Sequence, residues 1–161
     1  MWKQLTQEAR KAIFLAQEEA GKLGYSHVGP EHLLLALIRE DDCVAAQIME
    51  RSGVDLGTVR AEVMSQLSRG AETLAEGMQL TAEAKQAIDM AFESGRQANE
   101  QHIGTEHLLI GLAGQPHGVA ADLLATHGID PEHIRRELRG IQAGALPFER
   151  NNTGSASMPT A

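Results

Sequence analysis

Apolar residues near the start of the chain recur at steps of three and four: Leu5, Ala9, Ala12, Ile13, Ala16 and Leu23 form one stripe, with Lys11, Glu18 and Lys22 off it. That period places the stripe on one face of an α-helix. Thr6 suits its N-cap and Gly24 its stop. A second series, Leu80, Ala84, Ala87, Ile88 and Ala91 behind Thr81, predicts a matching helix. Pro30 and Thr105 each open a short, strongly apolar segment, and proline fits a first helical turn, where its missing N–H would lack an intrahelical partner anyway. These two helices are expected at the centre of the fold. A third pair runs from Cys43 to Arg51 and from Val119 to Thr126, closed by Gly53 and Gly128 in positions that call for positive φ. A fourth pair follows Asp55 and Asp130, both suited to N-caps.

The two series are copies of one unit. Val28-Gly29-Pro30-Glu31-His32-Leu33-Leu34 is echoed by Ile103-Gly104-Thr105-Glu106-His107-Leu108-Leu109, an offset of 75 residues that holds without a gap from Leu5 to Leu138. The fold expected is therefore all-α, with eight helices arranged as two four-helix repeats related by pseudo-twofold symmetry. The double-repeat domain covers residues 1–142, the first repeat about 5–68 and the second about 80–142. Between them, Arg69 to Gln79 has two glycines and no sustained stripe, and reads as a surface linker. Residues 143–161, rich in Ser, Thr, Asn and Gly, read as a disordered tail or linker.

Composition narrows the class. In 161 residues with 42% hydrophobic content and only 3% aromatics, Leu, Ile, Val, Ala and Met must fill the interior, which favours close helix packing over a sandwich or barrel. The net charge of -8 opposes extended contact with nucleic acid or with an anionic membrane surface. Cys43 is the single cysteine, which excludes an internal disulfide, and nothing approaches the roughly 18 uninterrupted apolar residues of a membrane span. Met1-Trp2-Lys3-Gln4 leads straight into the first amphipathic pattern without the features of a signal peptide, so a reducing cytoplasm is expected.

Catalytic chemistry finds little support. There is no G-x-x-x-x-G-K-[ST] phosphate loop, so ATP hydrolysis is not expected of this chain. His27 with His32, and His102 with His107, are five residues apart, whereas a zincin helix needs four, and one member of each pair precedes its helix. Neither a metal nor a cofactor is expected, and these histidines read as capping or surface residues. Cys43, matched by Gly118, reads as a small apolar filler. Ser26 and Ser52 lack the histidine and carboxylate spacing of a nucleophile.

What does repeat is a polar set at helix starts: Thr6 with Arg10 and Thr81 with Lys85, together with Glu31 and Glu106 in the first turn of the next helix. A helix N-terminus and a cation one turn along attract an anion, while the glutamate could pair bidentately with a guanidinium. The same residues also stabilise helices simply as caps and first-turn acids, by about 1 kcal/mol for each threonine.

The strings at 29–34 and 104–109, the paired Val-Ala-Ala segments, and Ala16-Gln17-Glu18-Glu19-Ala20 resemble the Clp repeat, and the chain from Leu5 to about Ile141 is most similar to the N domain of ClpC-type AAA+ unfoldases. That resemblance implies a non-catalytic, eight-helix module that receives protein substrates and adaptor proteins for an ATPase ring in the bacterial cytoplasm. It also implies recognition of phosphoarginine, with Glu31 and Glu106 taking the guanidinium and Thr6 and Arg10, or Thr81 and Lys85, facing the phosphoryl group. Cyclic peptides are implied near the N-terminus, where Trp2 sits, with Lys85 as a further contact. The sites are expected as Thr81, Lys85, Gly104, Thr105 and Glu106 in the second repeat, and Thr6, Arg10, Gly29 and Glu31 in the first. Pro30 replaces the threonine of the family motif and removes a hydroxyl and an N–H, so the second-repeat site is expected to be the stronger. The alternative is a stand-alone Clp repeat protein that binds or sequesters peptides, cyclic peptide antibiotics or a Clp ATPase without a motor of its own.

Overall fold

The computed structural model describes residues 2–67 and 79–144. The linker, apart from Gln79, and the tail beyond Gly144 lie outside the described residues. After a 3-10 turn at Trp2–Gln4, the first repeat contains α1 (Gln7–Lys22), β1 (His27–Val28), α2 (Pro30–Arg39), α3 (Val44–Arg51) and α4 (Leu56–Gln66). The second contains β2 (Gln79–Leu80), α5 (Ala82–Gln97), α6 (Thr105–Ala113), α7 (Val119–Thr126) and α8 (Pro131–Ala143). The described residues form an all-α fold with eight α-helices, as expected.

The predicted caps hold these elements. Thr6 and Thr81 accept the N–H groups of Ala9 and Ala84 at 3.1 and 3.0 Å, and Asp55 and Asp130 accept those of Thr58 and His133 at 3.0 and 2.7 Å. Gly53 and Gly128 take φ of 80° and 71°, the left-handed region that ends α3 and α7 without strain. Helix α8 runs one residue beyond the expected domain edge, to Ala143, and Gly144 caps it in the left-handed region.

Helices α2 and α6 lie at the centre. Leu33 to Ile38 in α2 are all buried, as are Leu108 to Leu112 in α6. A single apolar core runs through both repeats. Gly111 lets α6 approach α5 closely, since a Cβ there would collide with the backbone carbonyl of Ala87. Polar contacts cross between the halves as well: Arg51 Nε donates to the buried Glu137 at 3.0 Å, and Ser52 Oγ meets His133 Nε2 at 2.8 Å.

The helical pattern carried no sign of the extended segments. Leu5 and Leu80 are not first turns of helices but lie in short extended runs ahead of the caps. Val28 pairs in parallel with Leu80, and Leu5 pairs with Ile103. The residue numbers of these two bridges differ by the repeat offset with the halves exchanged, so each repeat lends the start of its first helix to the start of the other repeat's second helix.

Candidate functional site

This exchange of extended segments decides which polar residues meet. The Thr81 N–H donates to Val28 carbonyl at 2.9 Å, which sets the N-terminus of α5 beside Gly29 and the start of α2. In the same way Thr6 N–H donates to Ile103 carbonyl at 2.9 Å, and Ile103 N–H to Gln4 carbonyl at 2.7 Å, which sets α1 beside Gly104 and α6. The expected grouping by repeat is therefore corrected. Thr81 belongs with Gly29 and Glu31, and Thr6 with Gly104 and Glu106. The backbone groups ahead of each N-cap find their partners only in the other half.

Gly29 and Gly104 let their own glutamates fold back over the backbone. The Glu31 carboxylate folds back over Gly29, and that of Glu106 over Gly104, so a Cβ at either glycine would collide with carboxylate oxygens. One step further, the buried imidazoles of His32 and His107 accept the N–H groups of Gly29 and Gly104 through Nδ1 at 2.9 and 3.0 Å. His107 Nε2 meets Glu100 at 3.0 Å, whereas His32 Nε2 has no hydrogen-bond partner among the described residues and the ring stands edge-on to Tyr25 at 4.8 Å. Burial presses the His32 pKa down to about 4, so the ring is neutral at pH 7. His27 and His102 are exposed, far from the buried environment of their five-residue partners. Among the described residues no group of three or more His, Cys, Asp or Glu side chains could hold a metal ion.

A cleft of about 200 Å³ opens where Thr81 meets Glu31, lined also by Pro30, Glu83, Gln115 and residues 117–121 at the start of α7. Burial lifts the Glu31 carboxyl above the usual carboxylate range against the pull of its own backbone N–H, and the nearby Glu83 adds to the rise. Two carboxylates beside a helix N-terminus make a place for a cationic or dual-charged group. Lys85 is exposed one turn further along α5 and is not among the lining residues. Arg10 is likewise exposed, and its Nε donates to Leu5 carbonyl at 3.2 Å.

Thr105 has a different place from the one its spacing suggested. It is 2% exposed, and its hydroxyl accepts the N–H of Ala45 at the start of α3, at 3.2 Å. Cys43, read as a filler, acts there too, its Sγ accepting the N–H of Ala46 at 3.4 Å while donating to Leu37 carbonyl. The Thr105 hydroxyl, whose absence at Pro30 led the second-repeat site to be ranked higher, is engaged with the end of α3. Glu83 and Gln115 were not among the sequence candidates, and Gly118 was noted only as the repeat match of Cys43; their meeting with Glu31 depends on the exchange between halves. Trp2 and Phe14 stand 56% and 60% exposed, the largest apolar side chains on the described surface.

The model of the Clp repeat N-terminal domain matches residues 4–86 and again 79–158. The chain belongs to the Clp repeat N-terminal domain family. Two overlapping matches reproduce the two repeats of the fold. The chloroplastic chaperone protein ClpC1 of Arabidopsis thaliana is 40% identical over 163 residues, covering 99% of this chain and 18% of ClpC1. The chloroplastic ClpC1 of Oryza sativa is 40% identical over 138 residues, covering 86% of this Clp domain and 15% of that relative. The chain thus spans less than a fifth of the length of the curated relatives it matches. Among solved structures, the N-terminal domain of ClpD from Arabidopsis thaliana superposes with a TM-score of 0.69 at 27% identity, covering 87% of this chain and 97% of that one. A ClpV N-domain in complex with a VipB peptide shares the fold at a TM-score of 0.71 and 12% identity, covering 91% of each chain. As a Clp N-terminal domain, the chain corresponds to a non-catalytic part of Clp ATPases. No described helix is long and apolar enough to cross a membrane.

Proposed function

We propose that this domain receives protein substrates or adaptor proteins for a Clp ATPase, and that it recognises phosphoarginine on them through Glu31 in the cleft beside Thr81. The observation that carries the reading is the pair of carboxylates, Glu31 and Glu83, facing a cleft that also holds helix N-termini. A guanidinium pairs with Glu31, and the phosphoryl group turns to the positive ends of the helices. A related set, Glu106 with Gly104, Thr6 and Arg10, stands at the matched place, with Thr105 closing the helix end beside it. The binding role rests on family membership, and the peptide held by the ClpV N-domain agrees with a polypeptide partner. A second reading, contact with cyclic or linear peptides near Trp2 and Lys85, is favoured by the exposure of Trp2 and Phe14. Whether the domain works in cis with a motor or as a separate protein, and whether in a bacterial cytoplasm or a chloroplast as in the named relatives, the chemistry of the cleft is the same.

Calorimetric titration with phosphoarginine, arginine and phosphoserine tests the reading. Phosphoarginine is expected to bind at least about tenfold more tightly than the other two, because only it matches both charges. Glu31→Ala is expected to weaken it more than Glu106→Ala. Equal weak responses to all three ligands would overturn the dual-charge reading, and a larger loss in Glu106→Ala would move the site to the other half.

A further inference from the structure

The two halves differ in the groove between the first, second and fourth helices of each repeat. In the first repeat an ion network fills it. Glu19, 2% exposed, accepts from both terminal nitrogens of Arg60 at 3.4 and 3.2 Å and lies 3.9 Å from Arg39, whose Nη1 also donates to Glu18 at 2.8 Å. In the second repeat the arginine of the fourth helix is kept as Arg135, but Ser94 stands at the place of the buried acid and Gly114 at that of the second arginine. A cavity of about 190 Å³ opens at these matched positions, lined by Met90, Glu93 and Ser94 of α5, Ile110 of α6, and Pro131 and Arg135 of α8. The Glu93 carboxylate is already held by Arg96 at 2.5 and 3.0 Å, whereas no hydrogen bond or ion pair ties Arg135 to another described residue. The cavity thus presents a cation whose equivalent is neutralised in the other half, and no acid of its own is left to pair with it.

We propose that this cavity receives the side chain of a glutamate on a polypeptide partner, whose carboxylate does for Arg135 what Glu19 does for Arg60. The guanidinium takes the carboxylate in a bidentate pair, the Ser94 hydroxyl and the Gln97 amide at the same cavity add neutral donors, and Met90, Ile110 and Pro131 wall the methylene groups. A lysine or arginine side chain would meet the like charge of Arg135, and an apolar one would enclose the guanidinium without a partner. The site shares no lining residue with the cleft at Glu31. It rests on the reading that the domain receives polypeptides, and is independent of phosphoarginine recognition.

The test uses two pentapeptides, acetylated and amidated, with alanine at every position except a central glutamate or its isostere glutamine. Each is titrated into the full chain and followed by amide nuclear magnetic resonance. The glutamate peptide is expected to shift the amides of Ser94, Gln97 and Arg135 saturably, and the glutamine peptide to bind at least about fivefold more weakly, since it loses the charge-assisted pair. Arg135→Gln, at an exposed position, is expected to fold normally and to lose that preference while leaving any phosphoarginine response at the Glu31 cleft unchanged. Ser94→Glu supplies the acid from within, as Glu19 does, and is expected to abolish the response while raising the melting temperature. Equal binding of the two peptides, or a preference that survives Arg135→Gln, would overturn the proposal. So would shifts confined to residues 118–121, which would seat the peptide in the cleft at Glu31. The two readings fail separately: a protein that ignores phosphoarginine yet distinguishes the peptides keeps this site, and one that binds phosphoarginine without distinguishing them lacks it.

Discussion

Replacing Thr105 with valine removes one oxygen and keeps the shape of the side chain. In the native domain that oxygen accepts the N–H of Ala45 at 3.2 Å, and both residues are buried, Thr105 at 2% and Ala45 at 0% exposure. Leaving a buried N–H without its acceptor costs about 1–3 kcal/mol, and loss of an N-cap side chain costs about 0.5–2 kcal/mol. Helix propensities of threonine and valine are close, and Cys43 continues to hold Ala46, so neither adds much. The expected loss is ~1.5 kcal/mol, a fall of about 3–6 °C in melting temperature for a domain of this size. Urea unfolding followed by far-ultraviolet circular dichroism measures it, with the slope on denaturant unchanged if only stability moves. Pro30→Thr on the other side serves as the paired control, shifted the opposite way. A Thr105→Val unfolding free energy within ~0.3 kcal/mol of wild type would refute the reasoning, because the contact between the halves would then contribute nothing that the rest of the helix end does not supply.

Two further predictions concern buried charge. With His32 held at about 4 when folded against 6.5 in a model peptide, the unfolded chain binds the extra proton between those values, so stability is expected to rise with pH across that window by up to ~3 kcal/mol. Glu31 and Glu40, both raised by burial, act in the opposite sense, so the measurement is the difference between wild type and His32→Gln in urea unfolding from acid to neutral pH; parallel curves would refute it. Arg51→Met removes the guanidinium 3.0 Å from Glu137, which is 1% exposed, and is expected to cost about 3 kcal/mol. Converting both partners to apolar residues should recover most of that loss in the same unfolding assay, and a single-variant cost below about 1 kcal/mol would show the pair to be unimportant.

The sequence alone determined the repeat, the eight helices, their caps at Thr6, Thr81, Asp55 and Asp130, and the glycine stops at Gly53 and Gly128. These are short-range effects: a periodic stripe, an acceptor three residues from its N–H, and a backbone turn that glycine enters freely. The candidate residues were legible for the same reason, since each stands at a helix start. Their grouping was not. Which glutamate meets which threonine depends on Val28 pairing with Leu80 and Leu5 with Ile103, through backbone groups that every residue carries and that leave no mark on the side-chain pattern. The tertiary structure also decided what Thr105 and Pro30 do. Side by side in sequence motifs they look like a complete and a damaged copy of one site, but in space the hydroxyl of Thr105 closes the helix end of the opposite half, and its absence at Pro30 leaves the matched helix end at the lip of a cleft.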